Sequence, residues 1–560
     1  MLVSSLFHLA SKAVAKGIHE DTISIGRVPD TKSSNAVFEE LLLLDPYAVP
    51  NLEGLSISEM DFKHVPAATF ESIIPNLKKF NLTSLSLGDL GCAHELAAFK
   101  RDSVFNVVDL LRNAANGETR KRLRHLGLSG EETFGEGWEL TVSRLFPSLV
   151  SIDISSKQFS DIFKFPDFCL AFLNLRHLDI SSTNLQNLNG IENLWNLEKL
   201  VMCDVRVADL RRLDILSELG NLRYLDVSSV HTDRRRVISI MLRAGVCMKN
   251  LEFLDCSRTL IGDEELKQFV KTHPTLKTVV AIGIDLDQPA PPGIHLIGHA
   301  TPSSTVECVE YSISMEKYRA TYECLLRISV DLQNHKNSIR TLEETSIRNY
   351  LISMLEMMQN SRVSEHLKLL AFKCVRAFLR IPTIRLFTSF EDALRMLIIM
   401  WKNSGRLKPS TTSMLFDLLE EIACSRTPGQ LIPTDILNVM LSGVIDLLEE
   451  NPNDFDTIQQ ILSCIGRTLS WDQSLEVSPE IVRKFFELAE RMVAREKYGS
   501  VRVILTFIYV HLKRAVKSRR DLVTSGIAGR LCKTLGGLKM DETIAMLEAM
   551  SKVLRNLMIS

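Results

Sequence analysis

The sequence predicts two consecutive repeat arrays, an α/β array followed by an all-α array. A Leu-x-x-Leu-x-Leu signature recurs between residues 52 and 281. From residue 306 onward the apolar residues follow helical spacing instead. A proline-rich stretch between the two, at Pro289, Pro291 and Pro292, breaks both periodicities. The predicted fold class is therefore an α/β leucine-rich-repeat solenoid followed by an all-α armadillo/HEAT-like solenoid.

Size and composition are those of an ordinary multidomain protein without a membrane span. The chain has 560 residues, too many for one core, and 24% of them are charged. The net charge of -2 argues against a nucleic-acid partner. No apolar run reaches the roughly 18 residues that cross a bilayer, and the apolar leader lacks a basic n-region. Eleven cysteines without a C-x-x-C pair favour reduced thiols in the cytoplasm, with the nucleus as a second compartment.

Residues 1–46 precede the repeats and carry two helical patterns. Residues 1–20 show an apolar stripe at i, i+3 and i+4 spacing. The stripe consists of Leu2, Leu6, Leu9, Ala10, Ala13 and Val14. A second helical run contains Val37 and Leu41 and ends before Pro46.

The predicted leucine-rich-repeat domain spans residues 47–285. Its nine motifs begin at Leu52, Leu82, Leu123, Leu149, Leu175, Leu197, Leu222, Leu251 and Leu276. From Leu123 onward the intervals are 22 to 29 residues, the period at which each unit supplies one short strand and a return segment. A single unit cannot bury its apolar face, so the units are expected to stack.

Residues 286–305 are predicted to be a linker, and residues 306–560 an armadillo-like domain. The second half carries successive helical stripes separated by breaks such as Pro382, Gly405 and Pro479. These stripes pair into units of about 40 residues, the armadillo or HEAT period. Stacked helix pairs of this kind present a concave groove.

The sequence carries no motif that indicates catalysis or phosphate binding. A phosphate loop and a nucleophile elbow are absent, and the metalloprotease pattern that starts at His94 has Ala98 at its second histidine position. No catalytic residue, cofactor or metal is therefore expected. Basic clusters at residues 234–236 and 513–520 leave three interpretations open: a solvated face, a docking patch for an acidic segment, or a nucleic-acid contact.

The order of an N-terminal helix, irregular leucine-rich repeats and armadillo-like helices resembles the Zyg-eleven/Zer family of substrate receptors. These receptors serve cullin-two–elongin ubiquitin ligases. The resemblance covers nearly the whole chain and rests on architecture more than on invariant motifs. It implies a non-catalytic ligase subunit whose partners are elongin C with elongin B, cullin-two, and substrate proteins. No nucleic-acid or membrane partner is implied.

The family resemblance assigns elongin binding to the first helix. The family's elongin-C box reads Ser-Leu-x-x-x-Cys-x-x-x-aliphatic, and residues 5–14 fit it with alanine at the cysteine position. The implied elongin-binding residues are Leu6, Leu9, Ala10 and Val14. The alternative is that this helix only caps the first repeat.

A cullin-selecting segment should follow the elongin box, and its aliphatic-proline start matches Val28 and Pro29. The next aliphatic position of the family pattern is occupied by Lys32, which does not fit. The same proline, followed by residues 38–42, loosely imitates an F-box. An F-box-like adaptor and a scaffold without a ligase link are the alternative functions.

Characterised family members bind an N-terminal glycine in their armadillo groove. The corresponding stretches fall at residues 466–470 and 510–513, where Lys513 replaces an acid and would repel an α-amino group. This lysine favours the interpretation that the glycine pocket has been lost over the interpretation that the alignment is wrong. The groove is then expected to bind a different peptide. The candidate substrate-binding residues are Arg467, Trp471, Lys513 and Arg514.

Overall fold

The computed structural model describes most of the first 334 residues and a few segments beyond them. Up to residue 334 the gaps are 1, 26–29, 46–48, 50–51, 53, 64, 66–72, 89–99, 102–103, 160–163, 186, 206–209, 231–235, 287–290 and 300–301. Beyond it, the described residues are 354, 357, 363–379, 441–442, 445, 479–494 and 504. The chain divides into two compact units, Met1–Cys308 and Val309–Ser560.

A ten-stranded parallel sheet organises the first unit, and its strands lie side by side in chain order. They are β1 (Glu59–Asp61), β2 (Ser84–Ser86), β3 (His125–Gly127), β4 (Ser151–Asp153), β5 (His177–Asp179), β6 (Lys199–Val201), β7 (Tyr224–Asp226), β8 (Phe253–Asp255), β9 (Thr278–Val280) and β10 (His295–Ile297). A separate antiparallel pair joins Lys100–Arg101 to Val104–Phe105. Each connection in the large sheet is a crossover, as parallel pairing requires.

The sheet is held in register by a column of apolar residues at the middle of each strand. Leu85 pairs with Leu126, Leu126 with Ile152, and Ile152 with Leu178, and all four are buried. Because side chains alternate along a strand, the first and third residues of each strand lie on the opposite face. The leucine spacing thus builds one apolar layer under the sheet and leaves a mainly polar layer above it.

A repeated turn follows the strands and uses an aspartate as its acceptor. Asp153 Oδ1 accepts a hydrogen bond from Ser155 N at 2.8 Å, and Asp179 Oδ1 accepts one from Ser181 N at 2.8 Å. The next residue adopts a left-handed backbone, at Ser156 with φ 63°. Left-handed residues at the same distance after their strands are Gly130, Ser182, Asp204, Arg258 and Gly283. Gly88 is also left-handed but lies one position nearer to the end of its strand. The turn redirects the chain from the sheet into the return segment.

Helices and 3₁₀ segments make up the return layer of the first unit. After α1 (Leu2–His19) and α2 (Thr31–Leu44), the helices are α3 (Val107–Ala114), α4 (Gly117–Arg122), α5 (Trp138–Leu145), α6 (Phe165–Ala171), α7 (Val237–Arg243) and α8 (Asp263–Thr272). The next helix, α9 (Pro302–Ser314), contains the last residues of the first unit and the first residues of the second. The 3₁₀ segments are Ile74–Lys79, Ile191–Asn193 and Leu210–Glu218. Their inward residues join the leucines of the sheet in one continuous core.

The described residues of the second unit include α10 (Tyr318–Asn334), α11 (Glu365–Leu379) and α12 (Pro479–Ala494). Helices α10 and α11 pack together, and the buried thiol of Cys374 donates a hydrogen bond to Leu325 O at 3.3 Å. Thr321 Oγ1 on α10 donates to Ser312 Oγ at 2.9 Å, so this hydrogen bond connects the start of α10 to the last turn of α9.

The predicted fold class is wrong. The described chain is an α/β fold with one ten-stranded all-parallel sheet, and it shows neither a clear leucine-rich-repeat solenoid nor an all-α armadillo second half. The sheet begins at β1, after the first predicted motif, and continues to β10, inside the segment expected to be a linker. Apolar periodicity indicates that a helix forms and which face it buries, but it does not determine how helices pair. The predicted four-part division into domains stays a prediction.

Candidate docking site on the N-terminal helix

Helix α1 is stabilised by its sequence at both the last turn and the turn that follows. Lys16 and His19 lie in the last turn, where the helix dipole favours positive charge. The chain then folds back, and Thr22 N and Ile23 N donate hydrogen bonds to Gly17 O at 2.8 and 3.0 Å. A Cβ at Gly17 would come within 2.5 Å of Ile23 Cδ1, so glycine permits this close return.

One face of α1 packs against its own chain. Ser11, Ala15 and Ile18 are buried at i, i+4 and i+7 spacing. The buried Ser11 hydroxyl donates to Phe7 O at 2.9 Å, so this polar group is satisfied within the helix. Ala15 and Ile18 belong to the same apolar core as Phe38 of α2. Sequence reasoning missed this second face, although Ala15 and Ile18 have helical spacing.

The predicted docking stripe lies on another side of the helix. Ala10 and Ala13 are exposed, while Val14 is half-buried and contacts the core. By helical periodicity, positions 6 and 9 share the stripe of Ala10 and Ala13; the side chains of Leu6 and Leu9 lie outside the described residues. Ala10 is therefore accessible to a partner, whereas the side chain of Val14 is partly covered by contacts within its own chain. The elongin-binding role of all four residues stays a prediction.

Helix α2 starts next to α1 and begins with a side-chain cap. Asp30 Oδ1 accepts from Ser33 N at 2.8 Å, and this hydrogen bond lowers the pKa of the Asp30 carboxyl below its usual range. Lys32 Nζ lies 5.2 Å from the centre of the Phe7 ring on α1. Lys32 thus makes a cation–π contact at the position where the cullin-selecting pattern expects an aliphatic residue.

The other predicted site residues are outside the described residues. This applies to the cullin-binding positions Val28 and Pro29, and to the substrate-binding candidates Arg467, Trp471, Lys513 and Arg514. Their roles also stay predictions.

A second group of polar residues, which sequence reasoning missed, lies on the polar face of the sheet. Asp153 and Asp179 are direct neighbours on β4 and β5. Desolvation, together with the nearby Asp153 carboxylate, raises the pKa of Asp179 to about 7. His177 starts the same strand, and burial lowers its pKa, so its imidazole is neutral at pH 7. The recurring Leu-Asp-x-Ser pattern at the strand ends is the signal that could have identified this row.

The first residues of β6, β7 and β8 are Lys199, Tyr224 and Phe253, and they lie on this same face of the sheet. The rings of Tyr224 and Phe253 stack with centroids 4.5 Å apart and an interplanar angle of 4°. Lys199 Nζ lies 4.6 Å from the centre of the Tyr224 ring. The sheet face therefore combines cation–π and aromatic contacts beside a row of carboxylates.

Within the part of the chain that the structure describes, no helix has both the length and the apolar character needed to cross a bilayer. No model of a protein family matches the chain. The chain is similar to Gastrulation-defective protein 3 of Caenorhabditis elegans, with 30% identity over 288 residues. The matched region is 50% of this chain and 40% of that protein, so the chain spans less than half the length of this curated relative.

Proposed function

We propose that this protein is a non-catalytic, substrate-recognition subunit of a cullin-two–elongin B/C ubiquitin ligase, and that α1 docks it on elongin C. The observation that carries the proposal is the division of α1 into two faces. Ser11, Ala15 and Ile18 anchor the helix to its own chain, while Ala10 and Ala13 remain exposed. An anchored helix with a free stripe of small residues suits docking in a groove, because little ordering entropy is lost on binding.

The proposed contact is an apolar one. Leu6 enters a pocket of elongin C, and Ala10 lets the two backbones approach one turn later. Full burial of a leucine side chain is worth about 1.5–3 kcal/mol, which is enough for this residue to dominate a small interface. Val28 and Pro29 are the proposed contacts to cullin-two. The ligase then acts by proximity, holding a substrate lysine near a charged conjugating enzyme.

Replacing Leu6 by aspartate should reduce co-purification of the elongin B/C pair by about tenfold or more, because a charge enters an apolar pocket. The measurement is quantitative pull-down of the full chain co-expressed with elongins B and C. Lys16→Gln is the control on the same helix, since Lys16 is exposed, its ion pair with Glu20 is a weak surface pair, and a neutral side chain does not repel Glu20. Undiminished elongin C on the Leu6→Asp chain would refute the docking assignment.

Replacing Ala10 by cysteine should strengthen elongin binding severalfold. The substitution restores the residue of the family pattern and adds apolar surface at an exposed position, so the fold loses nothing. Titration by isothermal calorimetry against purified elongin B/C measures the change. Ala13→Cys is the control, because position 13 is also exposed but the family pattern accepts any residue there. Equal gains from both cysteines would contradict the assigned register.

The identity of the co-purified adaptor distinguishes this proposal from the other two classes. Elongins B and C support it. A different small adaptor would assign the chain to another cullin ligase, and recovery of neither would leave an interaction scaffold without a ligase link.

A further inference from the structure

A basic surface lies in the first unit, where the 3₁₀ segment Ile74–Lys79, helix α4 and the residues just before β3 meet. We call five of its residues the basic edge patch: Lys78, Arg120, Lys121, Arg122 and Arg124. Arg120 is half-buried and the other four are exposed. The helix dipole favours the three cations in the last turn of α4. It does not account for Lys78 and Arg124, which lie on other elements.

Hydrogen bonds between these elements show that the patch is one surface. Asn116, the N-cap of α4, donates from Nδ2 to Lys78 O at 2.9 Å. At the other end, Arg124 lies two residues beyond α4, and its N donates to Thr83 O at 2.8 Å. The six residues of α4 span about 9 Å, and two extended residues add about 6 Å. The patch is therefore about 15 Å long, with Lys78 at one end and Arg124 at the other.

The acidic residues of these segments do not balance the basic ones. Residues 73–88 and 104–127 contain seven lysines and arginines but only two acidic side chains. The basic residues are Lys78, Lys79, Arg112, Arg120, Lys121, Arg122 and Arg124, and the acidic ones are Asp109 and Glu118. Each acid forms an ion pair within its own helix, Asp109 with Arg112 at 3.3 Å and Glu118 with Lys121 at 3.2 Å. The segments keep an excess of five positive charges.

Farther along the sheet, the residues that precede the strands form pairs of opposite charge. Arg176, before β5, lies 3.2 Å from Glu198, before β6. Lys277, before β9, lies 2.7 Å from Glu252, before β8, and this contact lowers the pKa of the Glu252 carboxyl. These cations are therefore matched by an acid on the neighbouring strand.

Arg124 occupies the equivalent position before β3 but has no acid at that position on either side. Its backbone hydrogen bonds identify the neighbours: Arg124 N donates to Thr83 O at 2.8 Å, and Val150 N donates to Arg124 O at 3.0 Å. Threonine and valine carry no charge. The acid that matches Arg176 and Lys277 within the chain is thus left, at Arg124, for a partner to supply.

The side chains of the patch favour a protein partner over nucleic acid or a membrane. Residues 73–88 and 104–127 contain no tyrosine or tryptophan, and Phe80 and Phe105 are buried, so none of them can stack on a base. The leucines of these residues are buried too and cannot enter a bilayer. Three of the five patch residues are arginines, whose planar guanidinium groups bind carboxylates in a bidentate manner.

We propose that the basic edge patch binds an extended acidic segment of a partner protein, with Arg122 and Arg124 as its main contacts. An extended segment of about six residues spans about 20 Å, enough to follow the patch from end to end. This proposal is independent of elongin docking, because it involves none of the residues of α1.

The probe is a fluorescein-labelled peptide with six consecutive glutamates, and fluorescence anisotropy measures its binding to the full chain. A peptide with lysines in place of the glutamates is the comparison. The glutamate peptide should bind, more weakly as salt is added, and the lysine peptide should not. Equal binding of the two peptides would overturn the proposal. So would tighter binding of an oligouridylate of the same length or of phosphatidylserine vesicles, since the occupant would then be RNA or a membrane.

The double variant Arg122→Gln/Arg124→Gln should weaken glutamate-peptide binding about tenfold, because two charge-assisted contacts are lost. Both side chains are exposed, so the fold is kept, and circular dichroism checks this. The matched control is Arg176→Gln/Lys277→Gln. It changes the net charge equally but removes cations that already have acidic partners, so the affinity should stay nearly the same. Unchanged affinity of the patch variant, or an equal loss in the control, overturns the proposal.

Discussion

Replacing Gly88 by alanine should lower the free energy of unfolding of the first unit by about 4 kcal/mol. Gly88 follows β2 with φ 68°, and a left-handed backbone costs a non-glycine residue about 1–2 kcal/mol. A Cβ there would also lie 2.6 Å from Lys63 Cα and 2.8 Å from Phe62 O. Both are backbone atoms of the preceding turn, so relief requires a shift of the ladder, at about 1–3 kcal/mol. Thermal unfolding followed by circular dichroism measures the loss.

A matched glycine separates the two contributions. Gly137 has φ 71°, nearly the same backbone, but a Cβ added there meets nothing within 4 Å. Gly137→Ala should therefore cost only the left-handed conformation, about 1–2 kcal/mol. Hydrogen exchange should locate the larger loss at the ends of β1 and β2, where Phe62 N donates to Ser86 O and Leu87 N to Gly127 O. Equal costs at the two glycines would show that the close approach at Gly88 is not real.

The leucine spacing locates most strands, because the second apolar residue of their motifs is the buried residue at the middle of the corresponding strand. Leu85, Ile152 and Leu178 each occupy the middle of their strand. The first strand was misplaced because its column residue is Met60. The same spacing recurs there as Ile57, Met60 and Phe62, all buried, five residues after the motif that begins at Leu52. A search for any large apolar residue would have found β1, because burial selects size and shape rather than leucine alone.

The last strand could not be found from this pattern. Around Leu296 of β10 the motif positions are held by Gly293 and Gly298, so backbone pairing with β9 extends the sheet without the usual apolar neighbours. The faces of α1 were equally hard to separate. Small and apolar residues occur almost all round that helix, and only packing decides that Ala15 is buried and Ala10 is not.

Replacing Asp179 by asparagine should stabilise the protein, and the gain should grow with pH. Burial of this carboxyl and the neighbouring Asp153 raise its pKa from 3.8 to about 7 in the folded state. Between these values the folded state holds a proton that the unfolded state has released. Stability therefore falls as the pH rises from about 4 to 7 and levels off above, where the charged carboxylate is buried without its proton. Each pKa unit is worth about 1.4 kcal/mol, so the gain at pH 8 should reach at most about 4 kcal/mol.

The asparagine amide oxygen can still accept the hydrogen bond that Ser181 N donates at 2.8 Å, so the turn after β5 is kept. Chemical denaturation at pH 5.5 and pH 8 measures the effect. The advantage of Asp179→Asn should be about 2 kcal/mol larger at pH 8 than at pH 5.5. Asp153→Asn removes the repulsion from the other strand and should recover part of the same gain, so the double variant should gain less than the sum of the two. A pH-independent advantage would contradict a shared electrostatic origin, and additive gains would show that the two carboxylates do not interact across β4 and β5.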